Sequence, residues 1–150
     1  MPSELPLIVA ATEEEVRSGV LGQQLREFNY RFVGEYPQAH PIRLNAKGAD
    51  GQLLGGLRGF VFLRWLRVEV LWVADAARGQ GLGSRLLAQA EHDARGVGAI
   101  GAALETFEWQ APGFYAKQGY TECGRIDGYA KDYALITMKK AWQADTLPFL

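Results

Sequence analysis

A single cysteine, Cys123, and two histidines, His40 and His92, are all that the 150 residues contain of those types. One cysteine excludes an intramolecular disulfide and agrees with a reducing compartment. Three residues so scattered exclude a His/Cys metal site. An excess of one charge is also missing: 16 Lys plus Arg stand against 17 Asp plus Glu, a net charge of −1. Such a balance gives no electrostatic reason to expect a nucleic acid or a membrane surface as partner. Long hydrophobic runs are absent as well. The longest stretch free of Asp, Glu, Lys and Arg, Gly96 to Leu104, is nine residues, about half of the ~20 that a membrane-spanning helix requires. The opening MPSELPLIVAATEEE places Glu4 ahead of its short apolar run and acids after it, the reverse of a secretory signal, so a cytoplasmic location is expected. What is present is an ordinary globular composition, 48% hydrophobic and 22% charged. That excludes a disordered or fibrous chain, and the length suits one domain that buries a core without disulfides or a structural metal.

Along the chain, Leu7 to Ala11 reads as a short strand, and Thr12-Glu-Glu-Glu15 has the form of a helical capping box. Leu21, Leu25, Phe28 and Phe32 recur at helical spacing while Gly19 and Gly22 weaken the segment before them, which predicts two short helices or one broken helix ending near Gly34. Tyr36 to Pro41 holds two prolines and reads as a connector. Ile42 to Val73 alternates in the manner of three strands joined by tight turns, with Gly55, Gly56 and Gly59 inside the middle one, where glycine marks a bulge or a close backbone approach. After Gly81 the pattern is helical: Leu82, Leu86, Leu87, Ala90, Ala94 and Val97 share a broad face, and Glu91 and Arg95 form an i,i+4 pair. Ala99 to Thr106 reads as a strand, Ala111 to Gln118 as a short helix closed by Gly119, and Tyr120 to Lys140 as two final strands. The fold class is α/β (α+β layered): strand, two helices, three strands, helix, strand, helix, two strands around one mixed sheet. The expected boundaries are one domain over 1–140 and a C-terminal tail over 141–150.

The segment richest in chemistry is Leu71-Trp-Val-Ala-Asp-Ala-Ala-Arg-Gly-Gln-Gly-Leu-Gly-Ser84, an apolar strand passing through a glycine-rich turn into an amphipathic helix. Unpaired N–H groups at a helix start, with the positive end of the macrodipole, attract phosphate, and Gly79, Gly81 and Gly83 let it approach the main chain. Arg78 adds a formal charge. No Lys precedes Ser84, so the loop is not a P-loop. Ser84 also stands where the dinucleotide fingerprint needs its last glycine.

Arg78-Gly-Gln-Gly-Leu-Gly83 resembles the Arg/Gln-x-x-Gly-x-Gly/Ala signature of the GNAT superfamily of N-acetyltransferases. The resemblance extends to both sides. Leu71-Trp-Val73 looks like the family's fourth strand, Gln110-Ala-Pro-Gly-Phe-Tyr115 with Lys117-Gln-Gly-Tyr120 looks like its later helix motif, and the match covers roughly Leu7 to Lys140. It implies a mixed, mostly antiparallel sheet flanked by helices, and an enzyme that passes an acetyl group from acetyl-coenzyme A directly to a primary amine. It also implies that the main-chain amides of Gln80, Gly81, Leu82, Gly83 and Ser84, beside Arg78 and Gly79, hold the pyrophosphate. The pantetheine arm would then pair with the backbone near Leu71 and Val73, in a gap between the family's fourth and fifth strands. Tyr115 falls where such enzymes place the tyrosine that hydrogen-bonds the coenzyme sulfur, and Glu69 where several carry a base acting directly or through water. Both are general acid–base tasks.

By strand alternation Glu69 shares a face with Arg67, Leu71 and Val73, and Arg67 is its expected ion-pair partner. Glu105 and Glu108 bracket the end of the next strand, where either attracts a cationic amine or is plain surface charge. Trp65, Trp72, Phe107 and Trp109 suit a substrate pocket, with Trp72 read as core. His40, His92 and Cys123 read as structure or surface, and Lys139-Lys140 as a solvated strand end. The acceptor stays open between a small-molecule and a peptide amine. The alternative to an enzyme is a catalytically idle acyl-coenzyme-A sensor or interaction module. A homodimer is open too, since GNAT domains often pair and Trp142, Leu147, Phe149 and Leu150 of the tail would gain from a partner surface.

Overall fold

A computed structural model describes residues 4–143, which divide after Tyr36 into two units. The first contains helices α1 (Glu13–Ser18) and α2 (Val20–Val33). Thr12 Oγ accepts from the Glu15 amide at 3.2 Å and the Thr12 amide donates back to Glu15 Oε1 at 3.0 Å, so the capping box forms as read. The break falls at Gly19, whose φ of 70° ends the first helix and begins the second. The expected strand over Leu7–Ala11 is not formed. These residues pair with no strand among the described residues, and Leu7 and Ile8 are exposed. Local β propensity by itself, without cross-strand pairing, does not make a strand.

The second unit is a sheet of six strands with two helices. Its strands are β1 (His40–Lys47), β2 (Leu53–Phe62), β3 (Trp65–Val73), β4 (Gly101–Phe107), β5 (Thr121–Ala130) and β6 (Tyr133–Ala141). They lie in the order β1-β2-β3-β4-β6-β5, antiparallel throughout except for β3 and β4. A parallel pair needs a crossover, and helix α3 (Leu82–Gly96) supplies it, while the short α4 (Pro112–Lys117) follows β4. Pro41 lies inside β1, an edge strand, where a missing amide is tolerated. The face of α3 carrying Leu86, Leu87, Ala90 and Ala94 is buried, and Leu57, Leu66 and Leu104 are fully enclosed beneath it, each worth roughly 1.5–3 kcal/mol of apolar transfer. Among the described residues no helix is long and apolar enough to cross a membrane.

Several expectations from local spacing give way to tertiary contacts. Glu91 does not pair with Arg95. It is buried, accepting from Lys140 Nζ at 2.9 Å and from the Tyr120 hydroxyl at 2.8 Å. Lys140 is therefore not a solvated strand end but the counter-charge of a buried carboxylate. Arg95 instead lies over the ring of Trp142, 4.7 Å from its centroid, and the Trp142 indole donates to the Ala99 carbonyl at 2.7 Å. Trp142 thus packs against the core rather than waiting for a partner. Leu147, Phe149 and Leu150 lie outside the described residues.

Candidate active site

Strands β3 and β4 hold together only from Trp65/Gly101 to Val68/Leu104. Beyond that point they separate, and the stretch Glu69–Val73 has no strand partner on its β4 side. The cause is a bulge. Arg58 pairs with Val70 and Gly59 with Val68, so Glu69 is an extra residue with no opposite number on β2. A bulge bends and twists its strand. Gly59 permits it, because a Cβ there would run into the carbonyl of Arg67.

The bulge corrects the face assigned to Glu69. Leu66 and Val68 are buried, but beyond Glu69 the inward positions are Leu71 and Val73, one step out of phase. Glu69 is exposed and does not share the face of Leu71 and Val73. Trp72 is thereby turned outward, 47% exposed rather than core. Nor does Arg67 hold Glu69: its guanidinium lies 3.7 Å from Glu105 Oε1 on β4, and both side chains are nearly half exposed, so the pair contributes little to stability.

Between the separated strands opens a cleft of about 1010 Å³, at the upper end of small-molecule sites. At one end lies the glycine-rich loop. Gly79 and Gly81 have φ of 77° and 76°, and a Cβ on either would meet nothing within 4 Å. They serve the backbone path, not packing, and leave open space above the loop. Gly81 caps α3 without a side-chain hydrogen bond, and no acid occupies the first turn. The amides of Leu82, Gly83 and Ser84, which have no acceptor within the helix, therefore retain donor capacity and the positive dipole end. Gly83 differs, since a Cβ there would rest on the Phe114 ring of α4 at 3.4 Å, an ordinary van der Waals contact. Arg78 donates from Nε to the Val73 carbonyl at 3.1 Å and pairs with Asp75 at 3.0 Å, which fixes its stem while the side chain stays 63% exposed.

Tyr115 of α4 lines the same cleft. It is 8% exposed, packed edge-on against Phe114 and Tyr120, and its hydroxyl has no hydrogen-bond partner among the described residues. Burial pushes its pKa above the usual phenol value, so the hydroxyl is a proton-bearing donor at neutral pH. Glu69, Glu105 and Trp109 also line the cleft. Glu108 does not. Its carboxylate accepts from the Ala134 amide at 2.5 Å and from Arg125 at 3.0 Å, so it ties the end of β4 to the β5–β6 hairpin. His92 and Cys123 are exposed and do not line the cleft, and neither does His40 at the start of the edge strand β1.

Two features of this site are not fixed by the sequence. One is the bulge at Glu69: Gly55, Gly56 and Gly59 mark a bulge or a close approach in the middle strand but do not say which residue opposite is the extra one. The other is the hydrogen bond from Gln118 Nε2 to Ser84 Oγ at 2.9 Å, which joins segments 34 positions apart.

Residues 46–122 match the acetyltransferase (GNAT) domain family. A blasticidin-S acetyltransferase from Streptomyces morookaense is 48% identical over 96 residues, spanning 61% of this chain and 71% of that protein. The crystal structure of an acetyltransferase from Bacillus cereus superposes with a TM-score of 0.82 at 27% identity, covering 91% of this chain and 97% of that one. A structure from Bacillus anthracis assigned as a streptothricin acetyltransferase, in complex with acetyl coenzyme A, gives a TM-score of 0.63 at 25% identity over 69% of this chain and 64% of its own.

Proposed function

The chain belongs to the GNAT acetyltransferase family, and from that premise we propose that it transfers the acetyl group of acetyl-coenzyme A to a primary amine of a small molecule, without an acyl-enzyme stage. One observation carries the reading: the gap between β3 and β4 runs into the uncapped, glycine-lined start of α3, with the Tyr115 hydroxyl on its wall. An elongated phosphate-bearing thioester fits that arrangement. The amides of Gln80 to Ser84 and the Arg78 guanidinium would hold its pyrophosphate, and the unpaired β3 backbone near Leu71 and Val73 would meet its amide-containing arm. The similarity to a blasticidin-S acetyltransferase supports a small-molecule acceptor over a peptide.

When bound, acetyl-coenzyme A supplies an activated acyl carbon: the amine nitrogen forms the new C–N bond, the C–S bond breaks, and the sulfur leaves with the electron pair. The residues of this chain have two proton tasks around that exchange. The amine must lose a proton, and the Glu69 carboxylate, which has no ion-pair partner among the described residues, accepts it directly or through water. The thiolate must gain one, and the Tyr115 hydroxyl donates it. A thiol with pKa near ~8.5 leaves fairly well unaided, so this acid accelerates the step without being indispensable.

The test is an amine panel with acetyl-coenzyme A, read by thiol release, beside thermal melts with and without the coenzyme. Acetyl-coenzyme A at 100 times its Kd should stabilise the fold by about 2.7 kcal/mol. Stabilisation without turnover on any amine would point to a sensor, and equal stabilisation by NAD would overturn the reading.

A further inference from the structure

The end of β4 and the facing β5–β6 hairpin place aromatic rings where a core does not need them. Phe107 and Trp109 stack with centroids 4.4 Å apart and planes 8° from parallel. Tyr133 meets Trp109 edge-on at 5.1 Å, and Tyr129 meets Phe107 at 5.5 Å. Trp109, Tyr129 and Tyr133 are each about half exposed, so the cluster is not burying itself.

It is nonetheless held stiffly. The Gln110 amide donates to the Phe107 carbonyl at 2.9 Å, and Gln110 Oε1 accepts from the Phe107 amide at 2.9 Å, closing the turn that carries the stack from both sides. Between the rings, Glu108 is tied to Ala134 and Arg125. A rigid, flat, half-exposed indole is a pre-organised stacking surface, because little conformational entropy is lost when a ring settles on it.

Trp109 lines the same cleft as Glu69 and Glu105. Arg67 offsets part of the charge of Glu105, whereas Glu69 has no ion-pair partner among the described residues. Arg78, which also lines the cleft, is paired with Asp75, so the cleft offers a planar apolar surface together with the unpaired carboxylate of Glu69. An aliphatic polyamine would use the charge and leave the indole idle, and a neutral ring would do the reverse.

Resting on the acetyltransferase reading, we infer that Trp109, supported by Phe107, is the specificity-determining platform for the acceptor, and that the acceptor class is a cationic primary amine carried on a planar aromatic or heteroaromatic ring. The ring stacks on the exposed part of the indole while the ammonium group turns toward Glu69. The acyl transfer is unchanged: nitrogen gains the acetyl carbon and loses one proton, and the thiolate gains one.

The experiment uses amines matched in length and charge but not in ring character. With the full chain and acetyl-coenzyme A, kcat/KM is measured for 2-phenylethylamine and 2-cyclohexylethylamine, with tryptamine as a larger flat ring. The aromatic member should be preferred by about 3- to 10-fold, the range of one stacking contact, and tryptamine more strongly still. In Trp109→Ala the phenyl-to-cyclohexyl ratio should fall to near one, and Trp109→Phe should restore most of it. Stabilisation by acetyl-coenzyme A serves as the control for folding and for the underlying reading. If the coenzyme stabilises every variant yet the ratio is unaffected by Trp109→Ala, or no aromatic amine is acetylated, the platform assignment is overturned and the acetyltransferase reading stands. If Trp109→Ala alters only the sedimentation behaviour, the rings form a contact between copies and the assignment likewise fails. If the coenzyme neither binds nor is consumed, both fall together.

Discussion

Gln118 donates from Nε2 to Ser84 Oγ at 2.9 Å, linking the residue after α4 to the first turn of α3. Because the Ser84 oxygen is the acceptor in this bond, its own proton remains free to donate. The same bond fixes the distance between the glycine-rich loop and the helix that carries Tyr115. The two ends of the proposed coenzyme site are thus joined by a side chain that belongs to neither.

The loop glycines should separate by substitution. At Gly81, φ of 76° strains any β-carbon although the space around it is open, so Gly81→Ala should cost roughly 1 kcal/mol of stability and weaken acetyl-coenzyme A binding. Gly83→Ala meets Phe114 only at van der Waals contact and should retain binding within a few-fold. Calorimetric titration of both variants checks this, and equal affinity for parent and Gly81→Ala would take the pyrophosphate away from the loop.

Tyr115→Phe keeps the ring in its packed position and removes a hydroxyl that has no protein partner. The melting temperature should barely move. The turnover rate should fall by about 100-fold, the lower end of general-acid effects, because the thiol is a good leaving group. Steady-state kinetics with direct measurement of coenzyme Kd decide it, and an undiminished kcat would return Tyr115 to packing.

Glu69→Gln retains the shape of the side chain and cannot take a proton. Near pH 7 most of an amine with pKa ~10 is protonated, so the variant should be slow there and recover toward pH 9.5 as neutral amine is supplied by the solvent. The ratio of parent to variant rates from pH 6 to 9.5 is the measurement. A flat ratio would leave Glu69 as an acceptor-binding residue without a base role.

Tyr115 and Tyr120 both have pKa values raised by burial, Tyr120 further by the adjacent Glu91 carboxylate. Above pH ~10 the unfolded chain has lost phenolic protons that the native state keeps, so stability present below that pH should decline as pH rises. Between its unfolded and folded pKa values a group contributes at most about 1.4 kcal/mol per pH unit. Urea unfolding between pH 9.5 and 11 should show the decline, reduced by one group's share in Tyr120→Phe. An unaltered slope in that variant would contradict the assignment.

Much of this molecule was determined within short windows of its sequence. The capping box at Thr12, the break at Gly19, the three strands before Val73 and the loop from Arg78 to Ser84 follow from local rules of backbone conformation, and the structure has them in place. What tertiary structure alone decided is who faces whom. Alternation put Glu69 beside Leu71 and Val73, but one inserted residue opposite Gly59 reversed the phase, exposed Trp72 and opened β3 from β4. Helical spacing gave Glu91 to Arg95, but burial demanded the counter-charge of Lys140, 49 positions away. The run from Leu7 to Ala11 had the composition of a strand and pairs with no strand among the described residues. Local propensities amount to tenths of a kcal/mol per residue, whereas an unpaired buried charge costs several, and only the folded chain brings the partner that settles such a cost.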